Sequence, residues 1–324
     1  MKATVFAPGS IGNVGPGFDV LGLAVGGLGD TVSVETGFSR SSVVVRGRDA
    51  DLIPTDPAQN AASIAAKAML RRLGTPPSSA AGPAASRRRV GRRDGARPAG
   101  GTPAFRITID KGLPMSGGIG GSAASSVAGA YAAALACGVT PSHQDIILAA
   151  LEGEQAVSGR HLDNIAPITL GGLVLSRSIE PLDVIRLPVP ESWRVVLVRP
   201  AVRIETKKAR AILPELWARD SWTRQMANTA ALIHGFATAD GALVRRAMED
   251  LYAEPRRAPL IPNFDDIKRA ALDAGAFGCS ISGSGPTIFA LADEATAQRC
   301  AEAMTIGECE VRVASIDRQG ARPV

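Results

Sequence analysis

Apolar and polar residues alternate over residues 2–6, 31–36 and 42–46, the period of strands with one buried face. The second and third of these lie close enough in sequence to predict a hairpin. Asp56-Pro57 opens a helical pattern through about Arg72, with proline in its first turn. Phe105-Arg-Ile-Thr-Ile109 alternates again, and an alanine-rich run ending at Cys137-Gly138 predicts a packed helix over 123–137, with Ser122 as its N-cap. Pro141-Ser142-His-Gln-Asp145 resembles a capping box for a helix through Val157. A glycine-rich strand at 170–175 and a buried strand at 193–198 follow. Helices are predicted from Thr206, over 222–238 and 241–251, and over Phe264–Ala274 with a stop at Gly275. A strand, a glycine-rich turn, a strand over 287–291, a helix over 294–304 and an alternating strand over 309–316 close the chain. This order predicts an α+β fold, sheets layered with helices, with a second domain starting near 170–190.

Two stretches break the periodicity. Residues 7–22 hold five glycines and two prolines, which predicts an irregular loop with close backbone approach. Residues 75–104 run from proline and serine through an arginine cluster to glycine, with almost no apolar bulk, and read as a disordered surface insertion. That cluster changes the meaning of the charge. The 324-residue chain has net charge +5 and a pI near 9.3. Six of its 36 Lys and Arg, and one of its 31 Asp and Glu, fall in residues 87–97, so the remainder carries 30 of each. A nucleic-acid partner is therefore not expected. Hydrophobic residues make up 45 % of the chain, enough for a sizeable core. The N-terminal apolar run is too short for a membrane span. Four cysteines without metal spacing read as buried thiols of a cytoplasmic protein.

The chemistry concentrates at Leu113-Pro-Met-Ser-Gly-Gly-Ile-Gly-Gly-Ser-Ala-Ala124, between a predicted strand and a predicted helix. Glycines let backbone N–H groups crowd around one point. A helix N-terminus directly behind adds unpaired donors and a positive dipole end, which suits phosphate. No lysine stands near Ser122, which excludes a Walker loop. The dinucleotide fingerprint fits only nominally, since residues 138–145 form a turn and helix start rather than a strand ending in an acid.

Pro114, Gly118, Ile119, Gly120, Ser122, Ala123 and Ala124 fit Pro-x-x-x-Gly-Leu-Gly-Ser-Ser-Ala, and the loop resembles that of the GHMP small-molecule kinases. Asn13-x-Gly-Pro-Gly-Phe-Asp19-Val-Leu-Gly is similar to the first motif of the homoserine kinase branch. His161-x-Asp163-Asn164-x-Ala-Pro, the Thr206-x-x-x-Arg210 segment and Ser282-Gly-Ser-Gly-Pro286 are similar to later pieces. The resemblance implies a GHMP kinase fold with two domains. An S5 domain 2-like α+β domain would span 1–175 and a ferredoxin-like α+β domain 176–324. Two departures stand out. Gly121 replaces the first serine of the loop, and Ser158-Gly-Arg-His161 is one residue shorter than the relatives' Ser-Gly-Ser-x-His.

The resemblance further implies ATP and Mg²⁺ as cofactors and L-homoserine as substrate, in threonine biosynthesis. The nucleotide would meet residues 114–124 (Met115, Ser116, Gly117 and Gly121 among them), Lys111 and Asn60. Ser122 and Glu154 would hold Mg²⁺, which typically takes one or two carboxylates plus phosphate oxygens. Asn13 and Asp163 would orient the hydroxyl. Asp19 would meet the ammonium, and Arg210 and Arg257 the carboxylate, for which guanidinium forks are suited. His161, Asn164, Thr206, Gly283 and Ser284 would complete the substrate wall. Taken singly, each admits a plainer reading: a turn for Asp163-Asn164, a cap or core position for His161, an exposed helical position for Asn60 and Glu154, a surface charge for Lys111, a salt bridge for either arginine. A sugar or mevalonate-type kinase and a non-catalytic ligand-binding relative remain open, as does a homodimer.

Overall fold

The computed structural model describes residues 1–74 and 103–324, so the expected insertion lies outside the described residues except for its last two positions. Its first half contains β1 (Lys2–Gly12), β2 (Leu21–Phe38), β3 (Ser42–Gly47), α1 (Ala61–Gly74), β4 (Ala104–Lys111), α2 (Gly121–Ala136), α3 (His143–Val157), α4 (Ile165–Leu170), β5 (Leu173–Ser178) and β6 (Asp183–Leu187). The second half contains β7 (Trp193–Pro200), α5 (Thr206–Ala211), α6 (Arg219–Thr238), α7 (Gly241–Ala247), α8 (Glu254–Arg257), α9 (Phe264–Asp273), β8 (Gly278–Ile281), β9 (Ile288–Asp293), α10 (Glu294–Ala303) and β10 (Cys309–Ser315). A two-residue β11 (Arg322–Pro323) ends the chain and returns to the first sheet beside β1.

The first sheet runs β11-β1-β2-β4-β3, with β5 on β2 and β6 on β5. Phe105, Ile107 and Ile109 of β4 are buried on one face while Arg106, Thr108 and Asp110 alternate with them, the expected period of two. The expected hairpin of 31–36 with 42–46 does not form. β4 inserts between β2 and β3, and β3 pairs parallel to β4. A parallel pair needs a crossover, and α1 lies between the two strands in sequence. The expected loop at 7–22 is also shorter. Residues 7–12 continue β1 and 21–22 begin β2, paired antiparallel, so only 13–20 is irregular.

α1, α2 and α3 pack together as a layer against this sheet. The alanines of α2 make it apolar all round, and it is buried all round. A Cβ on Gly129 would lie 2.6 Å from Ala62 O, so α1 and α2 approach as closely as backbone permits. Two boundaries differ from expectation. α1 starts at Ala61 rather than Asp56, because Asp56 closes a turn with Ala58 N while Asn60 Oδ1 accepts from Ser63 N at 3.1 Å and caps the helix. α2 is capped by Gly120, in the left-handed region at φ 69°, and Ser122 falls inside its first turn instead of at its cap. α3 begins as expected, with Ser142 accepting from Asp145 N.

The second sheet runs β10-β7-β9-β8, all antiparallel. Counted along the second half this is order 4-1-3-2, the β-α-β-β-α-β ferredoxin-like arrangement. α9 and α10 cover one face. The other face meets the first sheet. Ile11, Leu21, Leu23 and Leu173 pack with Trp193, Val195, Phe289 and Leu291 in a single core that α6 and α7 close with Leu232, Phe236 and Val244. The expected boundary at 175/176 falls within β5, and β6 and β11 also join the first sheet.

Candidate active site

One cleft of about 360 Å³ is lined from both halves. At one end lies the 113–120 loop. Its carbonyls are tied to protein: Gly117 O accepts from Thr287 Oγ1 at 2.5 Å, Gly118 O from Ser282 Oγ at 2.6 Å, and Ile119 O from Ser10 N at 3.1 Å. A peptide group is planar and trans, so its N–H points opposite to its carbonyl. Holding these carbonyls on the protein side turns the N–H groups of 118–120 the other way. The first N–H groups of α2 add to them, since a helix start leaves its donors unpaired.

Lys111 is 7 % exposed and its ammonium is fully engaged, donating to Asp30, to Gly121 O at 2.9 Å and to Ser125 Oγ at 3.0 Å. Asp30, completely buried, accepts from the N–H groups of Gly112 and Leu113 at 3.1 Å. Lys111 and Asp30 thus join the exit of β4 to the start of α2 and fix both ends of the loop. Ser122 Oγ donates to Glu154 Oε1 at 2.7 Å, and Ser158, one turn further along, donates to the same carboxylate. Glu154 Oε2 is buried without a partner. Burial pushes this carboxyl up, while hydrogen bonds from Ser158 and Ser122 oppose the shift. An incompletely satisfied buried carboxylate beside a hydroxyl and an anion-binding loop has the donor chemistry of a site for a hard divalent cation. Among the described residues, no group of three or more His, Cys, Asp or Glu is arranged to hold a metal by itself.

At the other end, the 13–20 connection holds Asn13, Val14 and Asp19 at φ 69°, 48° and 59°. Left-handed backbone at three non-glycine residues, one of them β-branched, costs on the order of 1–3 kcal/mol each and persists only where surroundings impose it. They do so here. Asn13 Oδ1 accepts from Asp19 N at 3.1 Å and its Nδ2 donates to Gly283 O at 3.1 Å, while Gly283 N donates to Gly12 O at 3.0 Å. Arg210 forks onto Asp19 with bonds of 2.7 and 2.9 Å. Arg257, 3 % exposed, donates to Ala209 O and Gly283 O at 3.1 and 2.8 Å. Both guanidiniums lie over the Phe18 ring, at 5.4 and 5.6 Å from its centre, and Tyr252 meets that ring edge-on. Burial and the neighbouring Arg210 charge push the Arg257 guanidinium down; the hydrogen bond to Asp19 holds that of Arg210 up.

Between the ends, Asp163 is 4 % exposed with Oδ1 lying 3.1 Å from His161 Nδ1, outside hydrogen-bond alignment. Burial alone would lower the imidazole, but Asp163, with Asp19 beyond it, more than offsets this and raises it. Asn164 accepts from Ser10 Oγ at 2.8 Å, and the hydroxyls of Thr206 and Ser284 lie 3.3 Å apart.

The cleft therefore gathers Asn13, Asp19, Asn60, Lys111, Glu154, His161, Asp163, Asn164, Thr206, Arg210, Arg257, Gly283, Ser284 and the loop residues Pro114–Gly118 and Gly120–Ala123. Ile119 and Ala124 instead turn into the core. Asn60 lines the cleft with its amide already spent on Ser63 N and Pro54 O. The sequence reading missed Phe18, although it lies inside the first motif, and missed Ile53, Pro54 and Gln59, an apolar-edged wall with no motif of its own. It also missed Asp30, a carboxylate between the glycine-rich 26–29 stretch and the alternating 31–36 strand, with no motif of its own.

Comparison with known proteins agrees with this geometry. The GHMP kinases N terminal domain matches residues 85–172 and the GHMP kinases C terminal domain matches 232–307. A homoserine kinase of Chloroherpeton thalassium is 41 % identical over 94 % of this chain and 91 % of its own. One of Chlorobium phaeobacteroides (strain BS1) is 36 % identical over 99 % of each. The crystal structure of a homoserine kinase from Cytophaga hutchinsonii superposes with a TM-score of 0.85 at 38 % identity, covering 100 % of this chain and 97 % of that one. A loop that offers N–H groups at one end of the cleft, two arginines and a carboxylate at the other, and matches over nearly the full length place the chain in the GHMP kinase family, among its homoserine kinases.

Proposed function

We propose that this chain transfers the γ-phosphoryl group of ATP to the side-chain hydroxyl of L-homoserine, giving O-phospho-L-homoserine and ADP. The observation that carries this reading is the position of Asp19, Arg210 and Arg257 in the same cleft as the glycine loop. A free amino acid presents one ammonium and one carboxylate. Asp19 supplies the anion for the first. Arg257, a buried cation crowded by Arg210, gains from an anion placed beside it. A sugar offers neither charge, and mevalonate offers only one.

The N–H groups of the loop cradle the phosphates and neutralise part of their charge. Ile53, Pro54 and Gln59 form a wall suited to the flat face of the base. Ser122 and Glu154 would hold Mg²⁺, which supplies charge neutralisation to the phosphate oxygens when bound. Asp163, with Oδ1 unpartnered, accepts the substrate hydroxyl's hydrogen bond and aims its oxygen at the γ-phosphorus. The O–P bond to that hydroxyl forms as the bond to the leaving β-phosphate oxygen breaks, and the hydroxyl proton, lost late along its hydrogen bond to Asp163, passes to solvent. A loose transition state asks chiefly for alignment and charge neutralisation, so orientation by Asp163 and Asn13 suffices without a dedicated base. Four free thiols support a reducing, cytoplasmic location. Among the described residues, no helix is long and apolar enough to cross a membrane.

A coupled assay of ADP release with homoserine, mevalonate and galactose as acceptors tests the assignment. Release dependent on homoserine is expected. Faster turnover with either other acceptor would overturn it.

A further inference from the structure

Two irregular segments, far apart in sequence, set the walls at the amino-acid end of the cleft. Residues 13–20 supply Asn13, Phe18 and Asp19; residues 250–253 lead into α8, which supplies Arg257. α6 passes behind both, and one of its side chains touches both. Gln225, 7 % exposed and outside the cleft, donates from Nε2 to Pro16 O and to Asp250 Oδ1, each at 2.9 Å. Its Oε1 accepts from Leu251 N at 2.8 Å. These partners fix the orientation of the amide, because the oxygen faces a donor and the nitrogen faces two acceptors. Asp250, 6 % exposed, accepts in turn from the N–H groups of Tyr252, Ala253 and Glu254, at 2.8 to 3.2 Å, and so caps α8. One turn along α6, Thr229 Oγ1 lies 3.0 Å from Pro16 O and 2.8 Å from Gln225 O, its one hydrogen shared between the two carbonyls.

We propose that Gln225 is a positioning residue for the amino-acid subsite, setting the separation between the wall that carries Asp19 and the wall that carries Arg257. This rests on the homoserine reading of those two residues. A small zwitterion holds its two charges a fixed distance apart, so it binds well only when both walls stand at the matching spacing. A displacement on the order of 1 Å is enough to lose much of that binding. Gln225 makes no hydrogen bond to the 113–124 loop, so the nucleotide end does not depend on it.

The test is steady-state kinetics of the full chain and of Gln225→Met, which keeps the volume and removes the amide, together with Thr229→Val, which removes the second anchor of Pro16 along with the hydroxyl's contact to the Gln225 carbonyl. The native chain is measured first with homoserine; absence of turnover there would end the parent reading and this inference together. Given turnover, Gln225→Met should raise the KM for homoserine about tenfold, the loss of buried hydrogen bonds to one wall, and leave the KM for ATP within about twofold. Thr229→Val should move the homoserine KM in the same direction by less. The double variant should depart from the product of the single effects, as groups sharing one partner do. Equal rises in both KM values, or a lowered melting temperature with both KM values unchanged, would overturn the positioning role while leaving the kinase assignment intact.

Discussion

Asp19 and Arg210 stand 191 residues apart in sequence and meet through two hydrogen bonds. The helix predicted from Thr206 carries Arg210, and the motifs indicated a site, but no local pattern tells that the carboxylate and the guanidinium answer each other when no amino acid is bound. A ligand with both charges can replace this pair on both sides at once; one with a single charge leaves the other partner exposed. Asp19→Asn keeps the shape and removes the anion. It should raise the homoserine KM by about 10- to 100-fold, equivalent to about 1.4–2.7 kcal/mol, while the ATP KM stays within about twofold. Initial-rate measurements varying each substrate in turn check this, and equal effects on both would detach Asp19 from the ammonium. Glu154 belongs to the other end. Glu154→Gln can still accept from Ser122 but offers a cation no charge. Turnover should fall by at least about 100-fold with the homoserine KM little changed, read from the same assay at saturating ATP and magnesium.

The strand–loop–helix unit around 113–124 was the most legible element. Alternation at Phe105, Ile107 and Ile109 marked the strand, alanines the helix, and glycines the turn between them. What holds the loop was not legible, because its supports come from distant parts of the chain: Ser282 and Thr287 bind its carbonyls, and Asp30 binds its entry. Gly118 is where these constraints meet. It sits at φ 76°, and a Cβ there would lie 2.7 Å from both Gly285 O and Ser282 O. Gly118→Ala must therefore separate the loop from the 282–287 turn as well as adopt unfavourable backbone, at about 1–3 kcal/mol. The expected result is a rise in ATP KM of about tenfold or more with a lowered melting temperature; native ATP affinity would mean the loop tolerates that separation. The order of the first sheet was hidden for a related reason. Residues 31–36 and 42–46 are both correctly strands, but a period of two carries no information about neighbours, and the parallel β3–β4 pair depends on a crossover that proximity in sequence disguised as a hairpin.

Each sheet of the molecule has its own core under its helices, and a third core joins the two sheets face to face. Trp193 on β7 packs 5.0 Å from Phe236 and from Phe277, in the same cluster as Leu21 and Leu173 of the first sheet. Because the cleft borrows from both sheets, separating them would abolish the site. Turnover, tryptophan fluorescence and far-ultraviolet circular dichroism should therefore be lost at one denaturant midpoint; distinct midpoints would argue that the halves unfold independently. A second tie lies at the rim. Glu310 on β10 pairs with Arg199 at 2.6 Å across the second sheet, and also binds Arg48, which follows β3 of the first. The two arginines hold its carboxyl below the usual carboxylate range, Arg199 most strongly. A carboxyl with a depressed folded value contributes its stability above the unfolded value and loses it as the pH falls through the folded one. The side chain is 55 % exposed, so solvent screens most of this and the pair contributes at most about 1 kcal/mol. Glu310→Gln should accordingly lower the urea midpoint slightly at pH 7 in low salt. The difference from the native chain should shrink in high salt and vanish well below the usual carboxylate range. A penalty that persisted in acid would show that Glu310 acts through packing and not through its charge.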